Sequence, residues 1–528
     1  MSTKHTYIKA LLTGSLIGFL LLWSATIQAG DTIAFTRHYQ SVLNDQMPVL
    51  SSGNASAWRL IPKLDLGLAA LGYTQQQGGL KRSLEGSSYH QRELLIQQHH
   101  FLKNTLVYGA FNYSNSTETE VNYFTVNDPY RDTPYFYGDT LTGGRYKREA
   151  FHLKGIIAIP LAQRWDFGLA SSYFMGLSYQ DYDPRANNTV SRFSLSPGVN
   201  YRTGNWKIGT HLNYSYYNED ITIKVIEANS TARFYSLSGL GHSNEFFDAG
   251  GTYRLYQRHT GAMGIQIQNK HHVLELSSEL FSEQIKDGRG AQNKGDWQSI
   301  KTPFTLAGHL FSVKETYQRQ STTGYQKLSA GLTSSRQTGT EIFQRLESKA
   351  INNTTRNHWI TYAELDKYHH HQTTAQLAYA WYKLQSEWIR QWGYHVQAKY
   401  THDSEKIQEA DVTRKQYQNL YLSAEAERSL AIKKAWFTIK GGLGYNLNLH
   451  KQIANLPVTF FSRNSIIPDF DYTTAKRFTG HLSATYEREI TSANIRCFTT
   501  GAYQLCSSND LPQCPQRHWF NLTVGFFW

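Results

Sequence analysis

The chain has few cysteines, few prolines, and no second long apolar run. Of its 528 residues only 3 are Cys, 4 are Met and 12 are Pro. Three thiols are too few for a disulfide-stapled scaffold. After the run from Ala10 to Trp23, no stretch approaches the ~18 consecutive apolar residues of a helical membrane span. No Pro/Ser-rich linker divides the chain, which therefore reads as one large domain. The charge is +12, but no basic cluster interleaved with aromatics accompanies it, so nucleic acid is not an expected partner. Gly-x-Ser-x-Gly does not occur, and no Ser/His/Asn or Asp/His set suggests a catalytic centre. The chain is not expected to be an enzyme, and neither a cofactor nor a metal is expected.

What the chain does have is tyrosine and alternation. There are 35 Tyr, and aromatics make up 14% of the sequence, a composition that suits the aromatic girdles of a membrane barrel. Phe151, Leu153, Ile157 and Ile159 alternate with His152 and Lys154. Phe167, Leu169, Tyr173 and Met175 alternate with Asp166, Gly168 and Ser172, and Ile208, Leu212 and Tyr214 with Lys207, His211 and Asn213. The same pattern returns at Leu420 to Ala426, Phe437 to Leu447 and Phe478 to Tyr486. A period of two is that of a strand with one apolar face. These segments run about 11 to 16 residues, the length of tilted membrane strands with overhang, while soluble strands average ~5–6.

Connections alternate in length as well. Short turns at Lys103-Asn104, 160 to 164, 202 to 205 and 268 to 271 separate long polar stretches at 118 to 145, 218 to 249, 287 to 302, 338 to 357 and 450 to 472. Membrane barrels pair short periplasmic turns with long extracellular loops. A direct count gives about 19 strands, and with both ends on one side the number must be even. The fold class expected is all-β: a single transmembrane antiparallel up-and-down barrel of about 18 strands, with 16 or 20 open and the miscount placed between Thr373 and Tyr400.

At the N-terminus Lys4, His5 and Lys9 precede the apolar run, and Ala29 follows Ile27 and Gln28 at a small-residue site. Residues 1–29 read as an export signal, 30–58 as a periplasmic or lumenal segment, and 59–528 as the barrel. The chain ends in Phe520, Leu522, Val524, Phe526 and Trp528 alternating with Asn521, Thr523, Gly525 and Phe527. This ending resembles the C-terminal signal by which Gram-negative outer-membrane barrels are recognised for insertion. That resemblance implies outer-membrane lipid and the barrel assembly machinery as partners, with Phe526 and Trp528 as the assembly signal. The stretch Tyr179-Gln-Asp-Tyr-Asp-Pro-Arg185, with Val107 to Tyr113 and the aromatic terminus, is similar to a family of outer-membrane barrels of unknown function. Receptors that depend on TonB share the location but carry a large N-terminal plug, which the residues from Gly30 to Trp58 are too few to form.

Candidate functional residues lie on the polar faces. Arg148, Lys154, Arg192 and Lys207 form a basic lumen sector, and Glu275, Glu279, Glu425 and Glu427 an acidic one, with Lys440 an exception among the acids. Strands set in chain order would place the sectors across the lumen, where facing charges set selectivity. Cys506 and Cys514 could close the last loop as a disulfide, leaving Cys497 odd. The pairs His99-His100 and His271-His272 and the triplet His369 to His371 fall near expected periplasmic turns, where each pair offers at most one inward ligand. Asp128, Asp132 and Asp139 are oxygen ligands in no calcium-loop spacing and read as solvated loop acids. Arg185 could pair with Asp183 or Asp181. Two readings follow: a porin-like channel that passes or helps to pass a solute, or an accessory barrel whose loops bind a surface lipoprotein or receptor.

Overall fold

A computed structural model describes residues 53–528 except 62, 64, 227–232, 247–251, 290–299, 322–323, 352–353, 387–388, 433 and 491–494. The expected signal, and most of the 30–58 segment, lie outside the described residues. A short 3-10 helix, Ala55–Leu60, precedes the first strand. The wall begins with β1 (Leu66–Gly78), β2 (Ser88–Leu102) and β3 (Thr105–Val121), and a short β4 (Tyr137–Asp139) follows in the next loop. It continues with β5 (Gly144–Ala162), β6 (Trp165–Gln180), β7 (Arg185–Thr203) and β8 (Trp206–Lys224). The loop after β8 carries β9 (Phe234–Gly239) and β10 (His242–Phe246). Then come β11 (Thr252–Gln268), β12 (His272–Arg289), β13 (Lys301–Gln320), β14 (Gly324–Ile351), β15 (Thr354–Ser386) and β16 (Ile389–Gln408). Next are β17 (Val412–Ile432), β18 (Ala435–Ala454), a loop holding helix α1 (Ile467–Thr474), and finally β19 (Arg477–Ile490), β20 (Ile495–Ser507) and β21 (Gln516–Phe527).

Eighteen of these strands form one antiparallel sheet, each paired with its sequence neighbour in the wall, and β1 pairs with β21 from Leu68↔Phe527 to Gly78↔Arg517. Closure removes the edges that lipid could not satisfy. The remaining strands, β4, β9 and β10, make a separate sheet. The stretch 373 to 400 resolves into the end of β15 and the start of β16, so the wall holds 18 strands.

Two solvents explain the two faces. Leu71, Leu212, Leu280, Leu443 and Leu482 are exposed on the outside, while their neighbours in sequence point inward. That is an apolar belt around a transmembrane barrel. Among the described residues no helix is long and apolar enough to cross a membrane. One expected loop is absent: 338 to 357 lies mostly within β14 and β15, which pair from Gly324↔Lys383 to Ile351↔Thr354 with register shifts at Gly339/Thr340 and Phe343/Gln344. Beyond Glu341 on β14 and Tyr368 on β15 this hairpin has no wall neighbour in register, and past Gln344, whose side chain accepts from the Thr302 N–H of β13 at 2.8 Å, its end stands clear of the barrel. Its composition is polar but rich in Thr, Tyr and Ile, which a two-stranded arm tolerates.

Candidate functional site

The site is the lumen, capped at its outer end. The connection 122–143, which carries β4, and the connection after β8, which carries β9 and β10, fold inward and pair, with Tyr137↔Ser236 and Asp139↔Phe234 in register. Phe124 stacks on Tyr146 of the wall with centroids 5.0 Å apart, and Tyr135 on Phe304 at 4.4 Å. Gly339 has no side chain because a Cβ there would strike the Tyr135 ring. Val190, Ile221, Ile223, Ile285 and Leu306, all on the inner face of the wall, are buried against this layer, and the same cluster reaches Tyr368 on β15 and Ile407 on β16. The long loop after β18 joins it: Phe461 meets Tyr235 edge-on at 5.2 Å, and Thr459 donates to the Gly241 carbonyl at 2.8 Å.

Charges lock the cap to the wall. Arg131, from the inserted loop, donates to both oxygens of Glu283 at 2.8 and 3.2 Å and lies 3.8 Å from Glu219. Both carboxylates are fully buried. Glu219 also accepts from the Asn127 backbone N–H and the Tyr217 hydroxyl, each at 2.7 Å, and Glu283 pairs with Arg258 at 2.6 Å. Burial works against the charge of Arg131, but the attraction of Glu283 and Glu219 outweighs it and holds the guanidinium above its ordinary range. Arg254, buried completely, makes a bidentate pair with Asp287 at 2.7 and 2.8 Å and lies 3.6 Å from the Tyr137 ring. On the other side, Arg82 pairs bidentately with Asp469 of α1 at 2.8 and 2.9 Å and covers the Tyr130 ring at 3.5 Å. In β4 the Asp139 carboxyl accepts from the Leu141 N–H at 3.0 Å through one oxygen, and the other has no hydrogen-bond partner among the described residues. Burial pushes its pKa up to about 7, against the Leu141 bond.

The opposite mouth is narrowed by the segment before β1. Asn54 accepts from the Ser56 N–H at 3.1 Å to cap the 3-10 helix, and its amide donates to Val199 O and Asn200 at 3.3 Å. The wall makes room with glycines: a Cβ on Gly168 would collide with Ser56, and on Gly198 or Gly209 with Asn54. Arg59 reaches Asp166 at 2.7 Å, and Trp58 packs on Tyr108 at 4.7 Å. Ile61 joins Leu66, Leu68, Leu106, Phe498 and Phe527 in a second buried cluster.

On the opposite side of the lumen from that segment lies a cavity of about 630 Å³, lined by residues of β15 to β21 and by Tyr472 of α1. Gln372 and Tyr417 are shared with a smaller chamber of about 270 Å³ against the cap.

The basic residues expected to line the lumen lie on neighbouring strands, β5, β7 and β8. Arg148 pairs with Glu118 at 2.7 Å, Lys154 lies 5.9 Å from the Trp58 ring and Arg192 5.5 Å from that of Tyr217. Lys207 stands at the start of β8, close to the Arg59, Asp166 and Arg202 group. The acidic residues divide. Glu425 and Glu427, on β17, stand across the closed strand order from β5 to β8, whereas Glu275 and Glu279, on β12, follow β8 after one intervening strand. Most are neutralised locally: Glu425 by Lys440 at 2.6 Å, Glu427 by Arg390 at 3.4 Å, Glu275 by Lys314 at 3.8 Å. Lys440, the apparent exception among the acids, is the counterion of one of them.

Cys497, Cys506 and Cys514 are free thiols. Cys506 does not belong to the last loop; it is buried in β20 beside the Thr479 hydroxyl, while Cys514 lies exposed against Gly79. The triplet His369 to His371 sits opposite Lys406 to Ser404, near the outer end of β16 and far from a periplasmic turn. His370 pairs there with Asp403 at 2.9 Å. No cluster of metal-ligating type occurs among the described residues. Arg185 pairs with Asp183 at 2.9 Å, and Asp181 with Arg145 at 2.5 Å. The latch residues Arg131, Glu219 and Glu283 were not singled out by sequence. The available signal was apolar residues on the inward face at the outer end of a strand, as at Ile221 and Ile223, where a water-filled lumen calls for polar ones.

A closed 18-stranded barrel with an apolar outer belt is an outer-membrane β-barrel protein. Residues 55–528 match the family of unknown function DUF6850, and the chain belongs to that family. No curated protein matches the chain. Solved structures with similarity include the siderophore receptor PiuA from Acinetobacter baumannii, with TM-score 0.40, 10% identity and coverage of 88% of this chain and 82% of that one. The ferric preacinetobactin receptor BauA from the same organism gives TM-score 0.39, 10% identity and 87% and 80% coverage. A mutant of TodX, a monoaromatic hydrocarbon channel, gives TM-score 0.30, 8% identity and 90% and 92% coverage.

Proposed function

We propose that this protein is a gated outer-membrane channel for a small polar solute. The observation that supports this reading is the arrangement of the lumen: a polar cavity of about 630 Å³ in a barrel whose outer end is capped by inward-folded loops and whose other mouth carries a docked N-terminal segment. A barrel whose role was only structural would have no need of a polar chamber behind a cap fastened by ion pairs rather than by apolar contact alone. The basic residues Lys154, Arg192 and Lys207 and the acids Glu425 and Glu427 then stand on the wall below the cap, where they bias the solutes that pass. Planar-bilayer recording of the purified protein, with and without residues 30–58, tests the reading. Removal of the segment should raise conductance, since Asn54, Ser56 and Trp58 occupy lumen on the β3 to β8 side. Silence in both forms would reject the channel.

The accessory reading has its own supporting observation, the free-standing end of the β14–β15 hairpin, with Leu346, Tyr362 and Leu365 exposed. A surface lipoprotein or receptor would dock there, and a silent barrel would leave that reading in the lead.

A further inference from the structure

The cavity behind the cap has an uneven lining. Lys399 and Arg477 are the charged groups on it, and no carboxylate lines it among the described residues. Neither cation forms an ion pair with a described carboxylate, and Arg477 instead lies 4.2 Å from the Tyr472 ring. Of the carboxylates of the neighbouring small chamber, Asp403 is engaged by His370, Glu405 by Lys415 and Asp469 by Arg82, which leaves Asp132 outside the described ion pairs. Two positive charges therefore face this space with no carboxylate on its own described lining.

Around them are groups that read hydroxyls. Gln397, Thr401 and Gln504 line the cavity and make no side-chain hydrogen bond to the described protein. Asn419 and Asn446, by contrast, spend their amide N–H groups on the Thr473 and Ala475 carbonyls, which fixes the roof. Tyr421 and Trp519 supply flat apolar surface on the same lining. Sites of this size hold small molecules by apolar surface with a few polar groups that fix orientation. Unpaired amides and hydroxyls beside two cations suit a molecule that has both a carboxylate and several hydroxyls.

We infer that this cavity binds a small hydroxyl-rich organic anion of the acidic monosaccharide class, its carboxylate held by Lys399 and Arg477 and its hydroxyls by Gln397, Thr401 and Gln504. The inference rests on the channel reading for how the solute arrives, but not for binding itself. The test is calorimetric titration of the full chain in detergent, at constant ionic strength, with glucuronate, glucose and sulfate. Glucuronate should bind at least about tenfold more tightly than either glucose, which lacks the charge, or sulfate, which lacks the carbon-bound hydroxyls. Lys399→Gln and Arg477→Gln should each weaken glucuronate at least about tenfold, with the heat-modifiable mobility of the folded barrel unchanged. Glucose or sulfate binding as well as glucuronate, no glucuronate binding in the wild type, or variants that bind as the wild type does, would each overturn the assignment. A barrel that binds glucuronate yet is silent in the bilayer loses the channel and keeps the site; one that conducts without binding does the reverse.

Discussion

Replacing Arg131 by Met keeps most of the side chain's length and removes its charge. In the closed cap Arg131 and Arg258 balance Glu219 and Glu283, with both carboxylates inaccessible to solvent. Without Arg131 the group carries one net negative charge in a site that water does not reach. Removing one partner of a buried pair typically costs about 3–5 kcal/mol. The lower end applies here, because Glu283 keeps Arg258 and Glu219 keeps the Tyr217 hydroxyl and the Asn127 N–H. At about 3 kcal/mol the ratio of closed to open cap falls roughly a hundredfold. The wall itself loses no strand pairing, so the barrel should still assemble. In a planar bilayer the variant should show a much higher open fraction than the wild type, and Arg131→Met with Glu219→Gln should recover part of the closure by removing the surplus charge. A fully folded Arg131→Met barrel with wild-type conductance would refute the assignment of Arg131 as the fastening of the cap.

Two further perturbations probe other parts of the structure. Leu212 is exposed on the outer face and Asn213 points inward from the same strand, so Leu212→Arg should lower the yield of heat-modifiable barrel far more than Asn213→Arg; an Arg in lipid costs about 2–4 kcal/mol near mid-membrane. Asp139 has a pKa raised from 3.8 to about 7 in the fold, so its stabilising, protonated form is fully present below 3.8 and is lost as pH rises towards and past 7. The effect is worth up to about 4 kcal/mol, and cap opening measured as conductance should increase from pH 5 to pH 8 in the wild type and lose that dependence in Asp139→Asn.

The wall was legible in the sequence because each of its strands has to satisfy lipid on one side, which imposes a period of two over a length set by the bilayer. Leu169, Leu212 and Leu482 fall on the outer face for that reason. Where lipid is not the neighbour the pattern fails. The free end of the β14–β15 hairpin has no apolar belt to keep, so its strands read as a polar loop. Cys506 was assigned to a loop because Leu505 and Ser507 give no contrast of faces at the end of β20. The charge sectors were visible as residue types, but their partners were not. Lys440 opposes Glu427 in register and pairs with Glu425, a diagonal that chain order alone does not reveal.

The cap was hidden for a different reason. Its parts are separated by long stretches of sequence, and each looks like an ordinary extracellular loop when taken alone. Asp128-Pro-Tyr-Arg-Asp132 has the composition of a solvated turn, yet Arg131 is carried to two buried carboxylates on β8 and β12. What compels the loop inward is the wall: Ile221, Ile223 and Ile285 are inward-facing, and an open aqueous lumen would leave them wet. Burying them requires apolar material inside the barrel, and Tyr135, Phe124 and Phe234 supply it. Once that layer forms, Glu219 and Glu283 are dehydrated too, and a cation becomes necessary. Arg131 is thus a consequence of the apolar layer, and the same dependence makes it the point at which a single charge can loosen the cap.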